Sequence, residues 1–167
     1  MLESDFDLYL DGAERKIAIL DSNLLVLWVT SMLPTGAMGR FKRVRTFTGE
    51  DVLLLRWLLG CFKSVATTAY VLAEVSNLGN ELSGLLRDSW FAELAQFAIV
   101  TNEAHCGTQT LDAEVTIKFG ITDAALFELS ETYTLITAEH RLSGYMSSMN
   151  RNVINFNYLR PIWMLDN

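Results

Sequence analysis

The chain has few of the residues that metal, redox and covalent sites are usually built from. Only 2 of its 167 residues are cysteine. Cys61 and Cys106 lie far apart, with no CxxC pair or Cys/His cluster beside either, which argues against a zinc site and against a disulfide framework; both are expected to be free, buried thiols. The 2 histidines, His105 and His140, carry no signature of nucleophilic catalysis and read as surface residues, and no GxSxG elbow occurs. Long apolar runs are also missing. None approaches the ~20 residues that cross a bilayer, so no membrane span is expected. The amino terminus, Met1 to Asp7, is acidic where a secretory signal would be basic, so the expected compartment is the cytoplasm. Positive charge is scarce: 13 basic against 20 acidic residues give a net charge of -7. That field repels a phosphate backbone, so a nucleic-acid ligand would need a local basic patch or metal ions.

What the chain does have is material for a core. Half of its residues are hydrophobic and 20% are charged, and a protein of this length buries roughly two thirds of its unfolded surface. One unaided domain over residues 1–167 is expected, with no repeat, low-complexity tract or linker to divide it. Lys16 to Leu20 reads as a buried strand that ends in the turn-forming Asp21-Ser22-Asn23. Residues 24–33 read as a buried helix that ends before Pro34. Residues 34–48 then form a basic, irregular loop. Thr48-Gly-Glu-Asp51 resembles a capping box that opens a helix to about Phe62. Further strands are expected at residues 64–67, 97–101, 134–137 and 153–156. Helices capped by Thr68 or patterned over residues 85–95, 111–118, 122–130 and 140–149 lie between them. This alternation predicts an α/β fold, with a parallel sheet covered by helices on both faces.

In such a sheet, ligands bind beyond the carboxyl ends of the strands. Asp21 directly follows the first strand, and Glu139 follows residues 134–137 after one alanine. Asp123 falls in the first turn of the helix that leads into that strand. Glu74 lies beside the apolar stripe of Val71, Val75 and Leu78. Each alone reads as a turn former, a dipole-compensating residue or a solvated helix residue. Together, carboxylates converging on one edge would need a cation or protons, and oxygen donors without histidine or cysteine suit Mg²⁺ or Mn²⁺.

Four segments carry a family resemblance: Ile17 to Asn23, Tyr70 to Leu78, Gly120 to Ala125 and Leu135 to Leu142 resemble, in order, the four acidic motifs of PIN-domain ribonucleases. The similarity runs over residues 17–160. It implies a PIN-like three-layer sandwich with a five-stranded parallel sheet, and metal-dependent hydrolysis of RNA at Asp21, Glu74, Asp123 and Glu139, with support from Asn23 or Thr137. The fourth acidic place is usually aspartate, and a glutamate there reaches about one methylene further, which favours water-mediated coordination. The toxin branch of the family further implies an antitoxin that blocks the cleft. Homodimers are common in the family, and Trp28, Trp57, Trp90 and Trp163 are compatible with one. Arg40, Lys42, Arg43 and Arg45 form a solvated loop or an RNA grip, with Phe41 or Phe47 to stack on a base. His140 and Arg141, beside Glu139, could also touch RNA near the pocket. The competing readings are a PIN-like module that binds RNA or protein without cutting, and an unrelated flavodoxin-like or receiver-like domain. The latter is weakened by the absence of a Gly-rich phosphate loop after the first strand.

Overall fold

Strand β1, Ile17–Leu20, carries Ala18, Ile19 and Leu20, all but fully buried. Successive strand residues point to opposite faces, so three buried neighbours mean that both faces of β1 are covered. The computed structural model describes residues 10, 12–34 and 36–166, and the acidic stretch from Met1 to Asp7 lies outside the described residues. Strands β2 (Ser64–Thr67), β3 (Asn102–Glu103), β4 (Thr134–Thr137) and β5 (Val153–Asn155) complete the sheet. All pairings are parallel, in the order β3-β2-β1-β4-β5, so the expected α/β fold with a five-stranded parallel sheet is present. One hydrophobic core extends from Ala13 to Leu159.

Helix starts were legible because short polar side chains satisfy the free N–H groups of a first turn. Asp21 caps α1 (Ser22–Ser31) and Thr68 caps α4 (Ala69–Gly79). Thr48 and Asp51 form the expected reciprocal box at α3 (Gly49–Gly60). Helices α5 (Gly84–Val100), α6 (Ala113–Phe119), α7 (Ile121–Leu129), α8 (His140–Ser148) and α9 (Phe156–Asp166) follow. Among the described residues no helix is long and apolar enough to cross a membrane.

Three expectations are corrected. Residues 97–101 are not a strand: α5 runs on to Val100, because Trp90, Leu94 and Phe97 continue one helical stripe while Ile99 and Val100 face outward. The strand is the polar pair Asn102–Glu103, held to β2 by pairing alone. The basic segment 34–48 is not irregular. It contains α2 (Ala37–Arg40) and a 3-10 turn at Lys42–Val44, and it buries Ala37, Phe41 and Val44, a helical spacing hidden among basic residues. Beyond the span of the family resemblance, α9 continues past Arg160 through Pro161. Cys61 and Cys106 are free but only half-buried.

Two contacts fix the elements around the sheet edge. Arg160 grips the buried Asp51 with two hydrogen bonds, 2.6 Å from Nε and 2.9 Å from Nη2, which ties α9 to the cap of α3. Trp90, fully buried, donates from Nε1 to Thr30 Oγ1 at 3.0 Å and meets Phe41 and Phe91 edge-on. It is therefore core and not an interface residue. A methyl group on Gly79, at the end of α4, would lie 2.3 Å from Cζ3 of that ring. The ring cannot retreat, so Gly79→Ala is expected to destabilise the protein by about 1 to 2 kcal/mol through overpacking, net of the better helix propensity of alanine. Denaturant unfolding reads this directly; an unchanged midpoint would show that the ring has room to move.

Candidate functional site

Parallel strands bring all their carboxyl ends to one edge, and β1 lies directly beside β4. Asp21 and the segment Thr137–Glu139 are therefore neighbours although far apart in sequence. The Asp21 side chain is 4% exposed. Its Oδ1 accepts from Leu24 N at 2.7 Å, and its Oδ2 accepts from Thr137 Oγ1 at 2.5 Å and Ala138 N at 3.0 Å. Burial dominates and pushes its pKa up to about 6, against the pull of these three hydrogen bonds; the charge of Glu139 adds to the rise. A carboxylate offers about four acceptor positions, so one remains for a further partner.

Asp123 sits in the first turn of α7. The turn at Gly120, φ +102°, lets α7 follow α6 at once, and only glycine adopts that conformation readily. Asp123 is half-buried and accepts no hydrogen bond among the described residues. Its pKa is pushed up to about 7, first by burial and then by the negative charges of Glu139, Glu74 and Asp21. Those three carboxylates thus act on it together.

Glu74 projects from α4, which packs against both α1 and α7. It is exposed, and its Oε2 accepts from Ser22 Oγ at 3.0 Å. Ser22 thus joins the site, although it was not among the residues expected there. The available signal was its place directly after Asp21, in the first turn of α1. Glu139 is exposed, and its backbone N–H donates to Thr137 Oγ1 at 3.0 Å. Thr137 therefore links Asp21 to the start of α8 and takes the supporting place. Asn23 does not share it. That residue faces a cleft of about 340 Å³ lined by Lys42, Arg43 and Glu81.

Arg40, Lys42, Arg43 and Arg45 are all exposed. Arg43 is engaged by Glu81, with Nε at 2.9 Å and Nη2 at 2.5 Å, and this pairing holds the Glu81 carboxyl below its ordinary range. Neither aromatic neighbour can stack on a base. Phe41 is 1% exposed against Trp90, and Phe47 packs on Phe156 beneath the Arg160 guanidinium. His105 and His140 are exposed, as expected.

The charged donors at the edge are carboxylates, with the hydroxyls of Ser22 and Thr137 beside them, and oxygen donors suit a hard divalent ion. Among the described residues, however, no three acidic, histidine or cysteine side chains are grouped so as to hold a metal ion between them. The type of donor is that of a hard ion, but the described carboxylates form no closed protein cage for one. No family model matches the chain, and it has no match among the curated proteins or the solved structures.

Proposed function

We propose that this chain is a divalent-metal-dependent ribonuclease of PIN-domain type. The observation that carries the reading is the grouping of Asp21, Glu74, Asp123 and Glu139 about one edge of a parallel sheet: Thr137 joins Asp21 to the Glu139 backbone, Ser22 engages Glu74, and α4 packs on α7, so that the like charges oppose ionisation of Asp123. Mg²⁺ or Mn²⁺, when bound, would neutralise the phosphate and lower the pKa of an attacking water. Asp21 and Asp123 are the residues that would hold it: the first is oriented by three hydrogen bonds with one position spare, the second has no competing donor among the described residues. Glu74 and Glu139, both exposed, would act through water or directly on the ion's outer face. No protein nucleophile is required.

A second reading, a PIN-like module that binds RNA or protein without cutting, is favoured by the engagement of Glu74 with Ser22 and by the open spacing of the carboxylates. Incubation of the purified protein with single-stranded RNA and Mn²⁺, with and without chelator, separates the two. Cleavage that the chelator stops supports the nuclease. Binding without cleavage supports the module. The toxin role, an antitoxin partner and a homodimer rest on the resemblance alone.

Arg40, Lys42 and Arg45, for which no hydrogen bond or salt bridge is found among the described residues, supply the contact with phosphate that the net charge of -7 opposes. Reversing Arg40, Lys42 and Arg45 to glutamate is expected to weaken RNA binding and to flatten its salt dependence by about 0.7 in log–log slope for each phosphate no longer neutralised. Arg43→Glu alone should do less, because Glu81 already holds that guanidinium. A salt slope unchanged in the triple variant would leave these cations as a solvated surface with no part in RNA binding.

A further inference from the structure

We propose that His140 and Tyr158 form a stacking platform for an unpaired base of single-stranded RNA, beside the acidic sheet edge. The proposal rests on the ribonuclease reading and adds to it a contact for one base of the strand, made by residues outside the acidic set. His140 opens α8 immediately after Glu139, and Tyr158 lies in the first turn of α9. These helices follow the adjacent strands β4 and β5, so both rings stand at the same sheet edge as Asp21. Their centroids are 5.4 Å apart with planes at 51°, His140 is exposed and Tyr158 is 51% exposed.

The segments that carry the two rings are held in place although the rings face solvent. Asn155 Nδ2 donates to Ser143 Oγ at 2.6 Å and faces His140 Nδ1 at 3.4 Å. Asn157, next to Tyr158, donates from its backbone to Asn155 Oδ1 at 2.9 Å and from Nδ2 to Ala138 O at 2.6 Å. The Ala138 N–H is the group that donates to Asp21 Oδ2. A single residue's backbone thus joins the mounting of the platform to the carboxylate expected to bind metal. Pre-placed aromatic rings lose little freedom on contact, and every base offers a π-face to them whatever its sequence. An uncharged base is also the part of RNA that can lie beside Glu139 without electrostatic repulsion. A base paired within a duplex could not reach the rings without unstacking.

The test uses a short single-stranded RNA carrying 2-aminopurine at successive positions, with Ca²⁺ replacing Mn²⁺ to suppress cutting. Quenching at one position is expected in the wild type, with none for the same sequence in a duplex. Tyr158→Ala should abolish the quench and raise Kd about tenfold, whereas Tyr158→Phe should keep both. His140→Ala, on the other ring, should also lose the quench. Wild-type quenching and affinity in the two alanine variants would overturn the platform while leaving the ribonuclease reading intact. If the wild-type protein neither binds nor cuts any RNA, both fall together.

Discussion

Asp123→Asn is expected to lower RNA cleavage by about 100-fold or more, since even the partners of metal ligands contribute about 10- to 100-fold. The same change should raise the melting temperature of the metal-free protein at about pH 8 by removing a charge that burial and three carboxylates oppose. The sign follows from linkage. Below about pH 4, Asp123 is protonated in both the folded and the unfolded chain and imposes no penalty. Its folded pKa of about 7 lies above the ordinary 3.8, so the native state holds the proton more tightly. Stability therefore falls as the pH rises from about 4 to 7, then levels off. Asp21, raised to about 6, contributes in the same direction over a narrower window. The Asp123→Asn protein should show a shallower decline. Wild-type turnover by that variant would remove Asp123 from the site; an unchanged pH profile of melting would remove it from the charge cluster. Asp21→Asn is a less clean probe, because an amide in place of Oδ2 would direct a donor at the Ala138 N–H.

Mn²⁺ or Mg²⁺ should raise the melting temperature by about 5 to 10 °C at a hundredfold excess over the dissociation constant. Binding only to the native state stabilises by about 2.7 kcal/mol at that excess, and a domain of this size gains roughly 2 to 4 °C per kcal/mol. The unfolded chain scatters the carboxylates and offers no competing site. Metal must displace the proton that Asp123 holds up to about pH 7, so the shift should grow between about pH 5 and 7 and then plateau. A chelator should reverse it, and Asp123→Asn should blunt it. Melting that ignores millimolar Mn²⁺ above that pH would show that these carboxylates hold no metal, and the non-cutting module would become the better reading.

Much of the frame was legible because its signals are local. A polar cap needs only the next three residues, so Asp21, Thr48 and Thr68 announce the helices they begin. Buried parallel strands such as Ile17–Leu20 and Thr134–Thr137 show as short apolar runs between turn formers. The failures are equally physical. Asn102–Glu103 is a strand only because β2 offers its edge, and no side-chain pattern records that. Phe97 to Val100 has strand-forming residues yet stays helical, since packing of Trp90 and Leu94 against the core outweighs a weak β preference. Phe41 sits among basic neighbours in sequence and is instead part of the core beside Trp90.

The sequence by itself determined the alternation of strands and helices, the caps, and the positions of Asp21, Asp123 and Glu139 next to strand or helix ends, because each depends on neighbours within a few residues. Only the tertiary structure decided that Thr137 and not Asn23 supports Asp21, that Ser22 engages Glu74, that Arg43 is taken by Glu81, and that His140 meets Tyr158. Those contacts join residues far apart in the chain or, for Asn23, depend on which way a side chain faces once α1 has packed. Strand order sets them, and strand order is fixed by which faces can be buried together and not by any stretch of chain read alone.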